Sequence, residues 1–190
     1  MEKLVPRIPF PEVETMTPAQ RKVYDEVVRG PRGLMVGPLR AALHNPELAD
    51  RWQKFGELLR YRTSLSPRHS ELAILVTARA WTCAFEWVQH EPAALAAGLG
   101  REIIDAIRRD RCPDFEHRAD AVVHAFAREL HANHAVGDST YADALELLGV
   151  AGVVELTALV GYYALVAMTL NAHAFDLPPG TSDPFAGEKE

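Results

Sequence analysis

Cys83, Glu86 and His90 stand at i, i+3 and i+7, the spacing that stacks three side chains on one face of a helix. A thiol, a carboxylate and an imidazole on one face are equipped for acid/base or nucleophilic chemistry. Glu86 and His90 lie four residues apart, where a carboxylate can fix the tautomer of the ring and raise its pKa. Cys83 follows Thr82, a candidate N-cap, so a helix N-terminus favours its thiolate while Glu86 opposes it. The spacing leaves the net direction open. Glu71 adds a second carboxylate, set in the apolar run Leu72, Ala73, Ile74, Leu75 and Val76. Unpaired in a low-dielectric interior it would cost several kcal/mol, so it needs a partner, with His90 and Arg79 as candidates. Taken singly, each of the four also fits an ordinary structural role.

Other residues are candidates of a second kind. Trp81 and Trp87 flank the motif and can wall a pocket or simply pack a core. Arg60, Arg68 and Arg79 can each clamp a carboxylate through two parallel hydrogen bonds. His117, His124 and His131 recur every seven residues, with His134 close behind. Heptad neighbours lie about 10 Å apart along a helix, too far to share one ion. A solvated or interface face is expected there, and no metal site.

The elements that must hold these residues read as helices throughout. Pro6, Pro9 and Pro11 suit an extended arm, of a kind that often lies on a neighbouring molecule. Thr17-Pro18-Ala19-Gln20 supplies an N-cap, a proline at the first helical position and a capping-box partner, giving a helix from 18 to 29 that Gly30 stops. A short turn of helix ends at His44, Asn45-Pro46 opens a helix to Arg62, and Ser66-Pro67 opens a central apolar one to Ala80. Thr82 is expected to cap a helix from Cys83 to Ala97, followed by Arg101 to Arg109, Phe115 to Asn133, Ser139 to Leu148 and Val150 to His173. No alternating β-branched run occurs, so the fold class is all-α. One domain, 1–190, is expected: an arm and first helix (1–33), a helical core (38–175) and an irregular tail (176–190). Glu71-Leu-Ala-Ile-Leu-Val and Glu155-Leu-Thr-Ala-Leu-Val share four of six residues, an echo that a duplicated half or mere helix composition can explain.

Composition narrows the function classes. The 190 residues carry 20 Lys+Arg against 26 Asp+Glu, a formal charge of -6, so no basic surface for nucleic acid announces itself. The two cysteines and a start without a long apolar core suggest a cytoplasmic chain. Leu156 to Phe175 lacks charged residues and is long enough to cross a bilayer. No Lys or Arg flanks it, and it reads instead as a core or interface helix, not a membrane span.

The pattern Glu71-x11-Cys83-x2-Glu86-x3-His90 resembles the carboxymuconolactone decarboxylase and alkylhydroperoxidase D-like superfamily, whose peroxidase branch shows Glu-x11-Cys-x2-Cys-x3-His. The likeness runs from about Pro38 through Ala97. Leu43-His44-Asn45-Pro46-Glu47-Leu48 and Leu58-Leu59-Arg60-Tyr61 share it, as do Gly161-Tyr162 through Asn171. It implies a helical bundle assembled as a homo-oligomer of two, three or six subunits, and it favours Arg60 among the arginines. Glu86 replaces the resolving cysteine, so a local two-cysteine cycle cannot close, and Cys112 would have to reach disulfide geometry to substitute. The Glu-x3-His pair looks like the decarboxylase branch, whose substrates are small carboxylated lactones.

The resemblance thus implies cofactor-free acid/base chemistry on a small-molecule substrate. In that reading His90 moves the proton, Glu86 orients and charges it, Glu71 completes the relay, and Cys83 lines the pocket. The alternatives are a thiol peroxidase using Cys83 with an external resolving thiol, and a non-catalytic oligomer that binds a metabolite.

Overall fold

The computed structural model describes residues 6–35 and 37–187. Among them are a single 3-10 turn at Val13–Thr15, eight α-helices and no strand, as the all-α expectation requires. The chain forms two compact units.

The first unit comprises the chain through Thr63 with Thr169–Asp176. It holds α1 (Pro18–Arg29), α2 (Pro38–Ala42) and α3 (Pro46–Tyr61), with α3 packed against both others. The expected capping box at Thr17 and Gln20 is formed, and Asn45 caps α3 through the Leu48 N–H. Gly37, at the N-cap of α2, sits at φ 55, a left-handed conformation that glycine adopts without a Cβ clash. The described part of the proline-rich arm makes contacts with its own chain. The Arg7 N–H donates to the His173 carbonyl (2.9 Å), His44 Nε2 to the Pro9 carbonyl (2.7 Å), and the Phe10 and Phe175 rings sit 5.2 Å apart.

The second unit comprises Ser64–Met168 and the tail from Leu177. Its centre is α4 (Pro67–Ala80), capped by Ser66 and buried over almost its whole length, as its lack of a polar stripe predicts. Against it pack α5 (Ala84–Ala96), α6 (Arg101–Arg108) and α7 (Arg118–Asn133). α7 begins three residues later than expected, at Arg118, and its N-cap residue His117 makes no side-chain capping bond; Phe115 instead packs against His124. The two last helices expected from sequence are both formed: they make up the stretch α8 (Asp138–Ala172), in which Gly149, non-helical at φ 68 and ψ 175, marks the kink between them. A Cβ at Gly149 would meet nothing within 4 Å, so its requirement is torsional. α8 is the one described helix long and apolar enough to cross a membrane by length and composition, and 33% of its most apolar window is buried.

The two echoed glutamates hold different partners. Glu155 accepts from the Ser64 backbone N–H (2.8 Å) and hydroxyl (2.5 Å), whereas Glu71 meets a histidine.

Candidate functional site

The turn between α4 and α5 sets the geometry. Cys83 N–H reaches back to the Ala78 carbonyl (2.8 Å) and Thr82 N–H to that of Arg79 (2.9 Å), the paired bonds of a Schellman motif. Thr82 is therefore the left-handed residue that closes α4, at φ 46, and not the cap of α5. That conformation costs a β-branched residue about 1–2 kcal/mol. The turn is so short that the next residue, Cys83, is itself the N-cap of α5. Glu86 and His90 then follow on the helix face as their spacing requires.

Across this turn the side chains of α4 and α5 meet. His90 Nδ1 lies 2.7 Å from Glu71 Oε2, both groups nearly excluded from water. The partner that Glu71 needed is His90, not Arg79, whose guanidinium lies over the Phe185 ring. An ionised carboxylate only accepts, so with Glu71 in that role the shared proton belongs on His90 Nδ1. From α8, the Tyr163 ring stands edge-on to His90, centroids 5.0 Å apart. Tyr163 is a site neighbour that the motif did not reveal. Its only sequence signal was its place in a stretch of the apolar helix shared with the resembling family.

Glu86 does not orient His90. It is 2% exposed, and neither carboxyl oxygen has a hydrogen-bond partner among the described residues. Burial without compensation disfavours the charged form and pushes its pKa well above the ordinary carboxylate value. Burial thus shifts Glu86 toward its neutral, protonated form. Cys83 is equally enclosed, at 1% exposure. Burial, the largest cause, pushes its thiol up to about 12. The backbone N–H groups of Phe85 and Glu86 pull the other way without closing a capping hydrogen bond. The direction that sequence left open is toward the neutral thiol.

The remaining candidates have other places. Trp87 is fully buried, edge-on to Phe185, with its indole N–H on Glu91 and Arg108 above its ring. Trp81 ends α4 and is half-exposed. The Arg68 guanidinium grips the buried Asp120 through Nε and Nη2 (2.9 and 2.7 Å), a structural pairing. Arg60 belongs to the first unit, over the Tyr61 ring. The histidine stripe is solvated only at its ends, where His117 and His134 are exposed; His124 is buried and His131 Nε2 lies 3.0 Å from Thr77 Oγ1. No cluster of three metal-ligating side chains occurs among the described residues.

The profile of the carboxymuconolactone decarboxylase family matches residues 46–137, which span α3 through α7 and contain all four motif residues. The chain resembles the carboxymuconolactone decarboxylase family over that region, which makes up just under half of its length. Its fold is similar to that of a peroxidase-related protein from Ralstonia eutropha JMP134 with an alkylhydroperoxidase core, at 16% identity and a TM-score of 0.74, covering 99% of this chain and 98% of that one. A peroxidase-related protein from Silicibacter sp. TM1040 aligns at 13% identity and a TM-score of 0.72, over 93% and 94% of the two chains. The debrominase Bmp8, solved as a cysteine-to-alanine variant in complex with 2,3,4-tribromopyrrole, aligns at 13% identity and a TM-score of 0.68, over 98% and 96%. No curated protein matches the chain by sequence.

Proposed function

We propose that the chain is a carboxymuconolactone decarboxylase-like enzyme, acting on a small carboxylated or lactone substrate by acid/base chemistry. The observation that carries this reading is the Glu71–His90 hydrogen bond between two helices, one of which also carries a buried carboxyl group that burial shifts toward its acid form. Relative to the roles expected from spacing, the two glutamates exchange places. Glu71 orients His90, and Glu86 is the resident acid.

Loss of CO2 breaks a carbon–carbon bond and leaves its electron pair in an enolate. Glu86, already protonated, donates to the oxygen where that charge collects or gives its proton to carbon. His90, steered by Glu71, returns a proton from water to Glu86. Cys83 remains a thiol and shapes the pocket.

The test is CO2 release from a panel of carboxylated lactones. His90→Ala and Glu86→Gln should each cost at least about 100-fold in turnover, the ordinary size of a lost acid/base group. Unchanged turnover in both variants defeats the proposal. Cys83→Ser should leave the rate within a few-fold.

A second reading has its own support: Cys83 sits at a helix N-cap, and the similar folds include peroxidase-related proteins and a debrominase solved as a cysteine variant. There the thiol attacks a hydroperoxide, giving a sulfenic acid and an alcohol, and an external thiol reduces the sulfur. Mass spectrometry decides it, since peroxide that leaves Cys83 unmodified removes this reading. Self-assembly belongs to both, supported by exposed Val150, Val154 and Met168 on α8. Stable monomers at micromolar concentration in light scattering would speak against it.

A further inference from the structure

A cavity of about 250 Å³ opens within the second unit, and none of the four motif residues lines it. α4 contributes Arg79, the turn after α6 contributes Asp110 and Arg111, and α7 contributes His124, Arg128 and His131. Setting Arg79 aside, since its guanidinium lies over Phe185, the Arg111 and Arg128 guanidinium groups line the cavity with one carboxylate, on a chain whose formal charge is -6. Cationic side chains gathered against the net charge of the molecule, between low-dielectric walls, concentrate positive potential at one place.

Arg111 and Arg128 make no ion pair and no side-chain hydrogen bond among the described residues. Their donors are not committed to internal partners. The position of Arg111 is nonetheless fixed by its backbone. Its N–H bonds to the Ala106 carbonyl and that of Asp110 to the Ile107 carbonyl (both 2.9 Å), with Asp110 at φ 52. This is a second Schellman motif, and it places Arg111 on the cavity lining while α7 places Arg128.

The histidines supply neutral polar groups. His124 is buried, and burial followed by the Arg128 charge lowers its pKa to about 4, so it is uncharged at neutral pH. Thr77 donates its hydroxyl proton to the Ala73 carbonyl, so Thr77 Oγ1 must accept from His131 Nε2–H. In the neutral ring that leaves His131 Nδ1 as an acceptor.

We propose that this cavity is a binding site for a small oxyanion, the carboxylate or phosphate group of a compact molecule held by Arg111 and Arg128. Its volume lies below the roughly 300–1,000 Å³ typical of sites for drug-sized ligands, which restricts the occupant to small metabolites or a phosphate group. Planar guanidinium forks suit both oxyanions, through paired charge-assisted hydrogen bonds. The inference stands apart from the chemistry proposed for Glu71, Glu86 and His90.

Isothermal titration of the full chain at constant ionic strength tests it, with inorganic phosphate in one arm and succinate in the other. Saturable binding of at least one probe, with a dissociation constant below about 10 mM, is the expected result. The Arg111→Ala/Arg128→Ala double variant should weaken it by roughly tenfold or more, since each residue removes a charge-assisted hydrogen bond. Arg109→Ala, on a neighbouring exposed arginine that does not line the cavity, should leave it within about twofold. NMR adds a second readout: His124 ring resonances should move with the same saturation curve. Phosphate binding alone identifies a phosphoryl site, and succinate binding alone a carboxylate site. Failure of both probes to saturate overturns the proposal, as does a double variant that stays folded by circular dichroism and binds as tightly as the parent.

Discussion

Glu86→Gln is the perturbation whose size the structure fixes best. Glutamine keeps the shape of the carboxyl and cannot titrate. In the unfolded chain a glutamate releases its proton near pH ~4.3. In the fold, burial holds that proton on Glu86 well above this value. Above pH ~4.3 unfolding therefore releases a proton, and stability falls by about 1.4 kcal/mol per pH unit until the folded carboxyl itself ionises. Below that pH the stability from this group is fully present. The glutamine variant lacks the fall, while every other titrating group is common to both proteins and cancels in the difference. Between pH 5 and pH 6 the variant should thus gain about 1.4 kcal/mol on the parent. For a chain of this length that is about 3–6 °C in melting temperature. Urea or thermal melts of both proteins at the two pH values give the number. A difference that is flat with pH, or that reverses sign, would show that Glu86 is ionised and paired, and would refute the assignment of a resident acid.

Thiol labelling should separate the two cysteines. Exposed Cys112 should react first, while Cys83, buried and with its thiol pushed up to about 12, should lag by orders of magnitude until denaturant is added. Thr82→Gly should raise stability by about 1 kcal/mol in chemical denaturation, because glycine relieves the left-handed strain at φ 46; a destabilised variant would contradict that origin. Arg68→Met should cost about 3 kcal/mol by leaving Asp120, 1% exposed, as an unpaired buried charge. The Arg68→Met/Asp120→Leu double variant should recover most of that loss in the same melts.

The helices were legible because their ends are written in short-range chemistry. Thr17-Pro18, Asn45-Pro46 and Ser66-Pro67 each place a hydrogen-bonding cap before a proline, and α1, α3 and α4 begin there. The first turn of α7 lacks such a signal, and its expected start was three residues early. Thr82 misled for a related reason: threonine is a good N-cap, but adjacent helices left no room for one, and the residue became the end of α4. The common face of Cys83, Glu86 and His90 follows from helical spacing within one element. Which glutamate meets His90 does not, since it depends on how α4 and α5 dock, and docking favoured the carboxylate 19 residues away over the one four residues away. The oxyanion cavity was out of reach for the same reason. Its arginines and histidines come from three elements, and only two of its histidines shared a recognisable period.

The tautomer of His90 is the most direct measurement of the proposed dyad. Long-range proton–nitrogen NMR of the ring, at neutral pH, distinguishes a proton on Nδ1 from one on Nε2. A slowly exchanging Nδ1 proton is the expected result, lost or redistributed to Nε2 when Glu71 is changed to leucine. A neutral ring protonated on Nε2 in the parent, indifferent to Glu71→Leu, would contradict the pairing on which the acid/base chemistry rests.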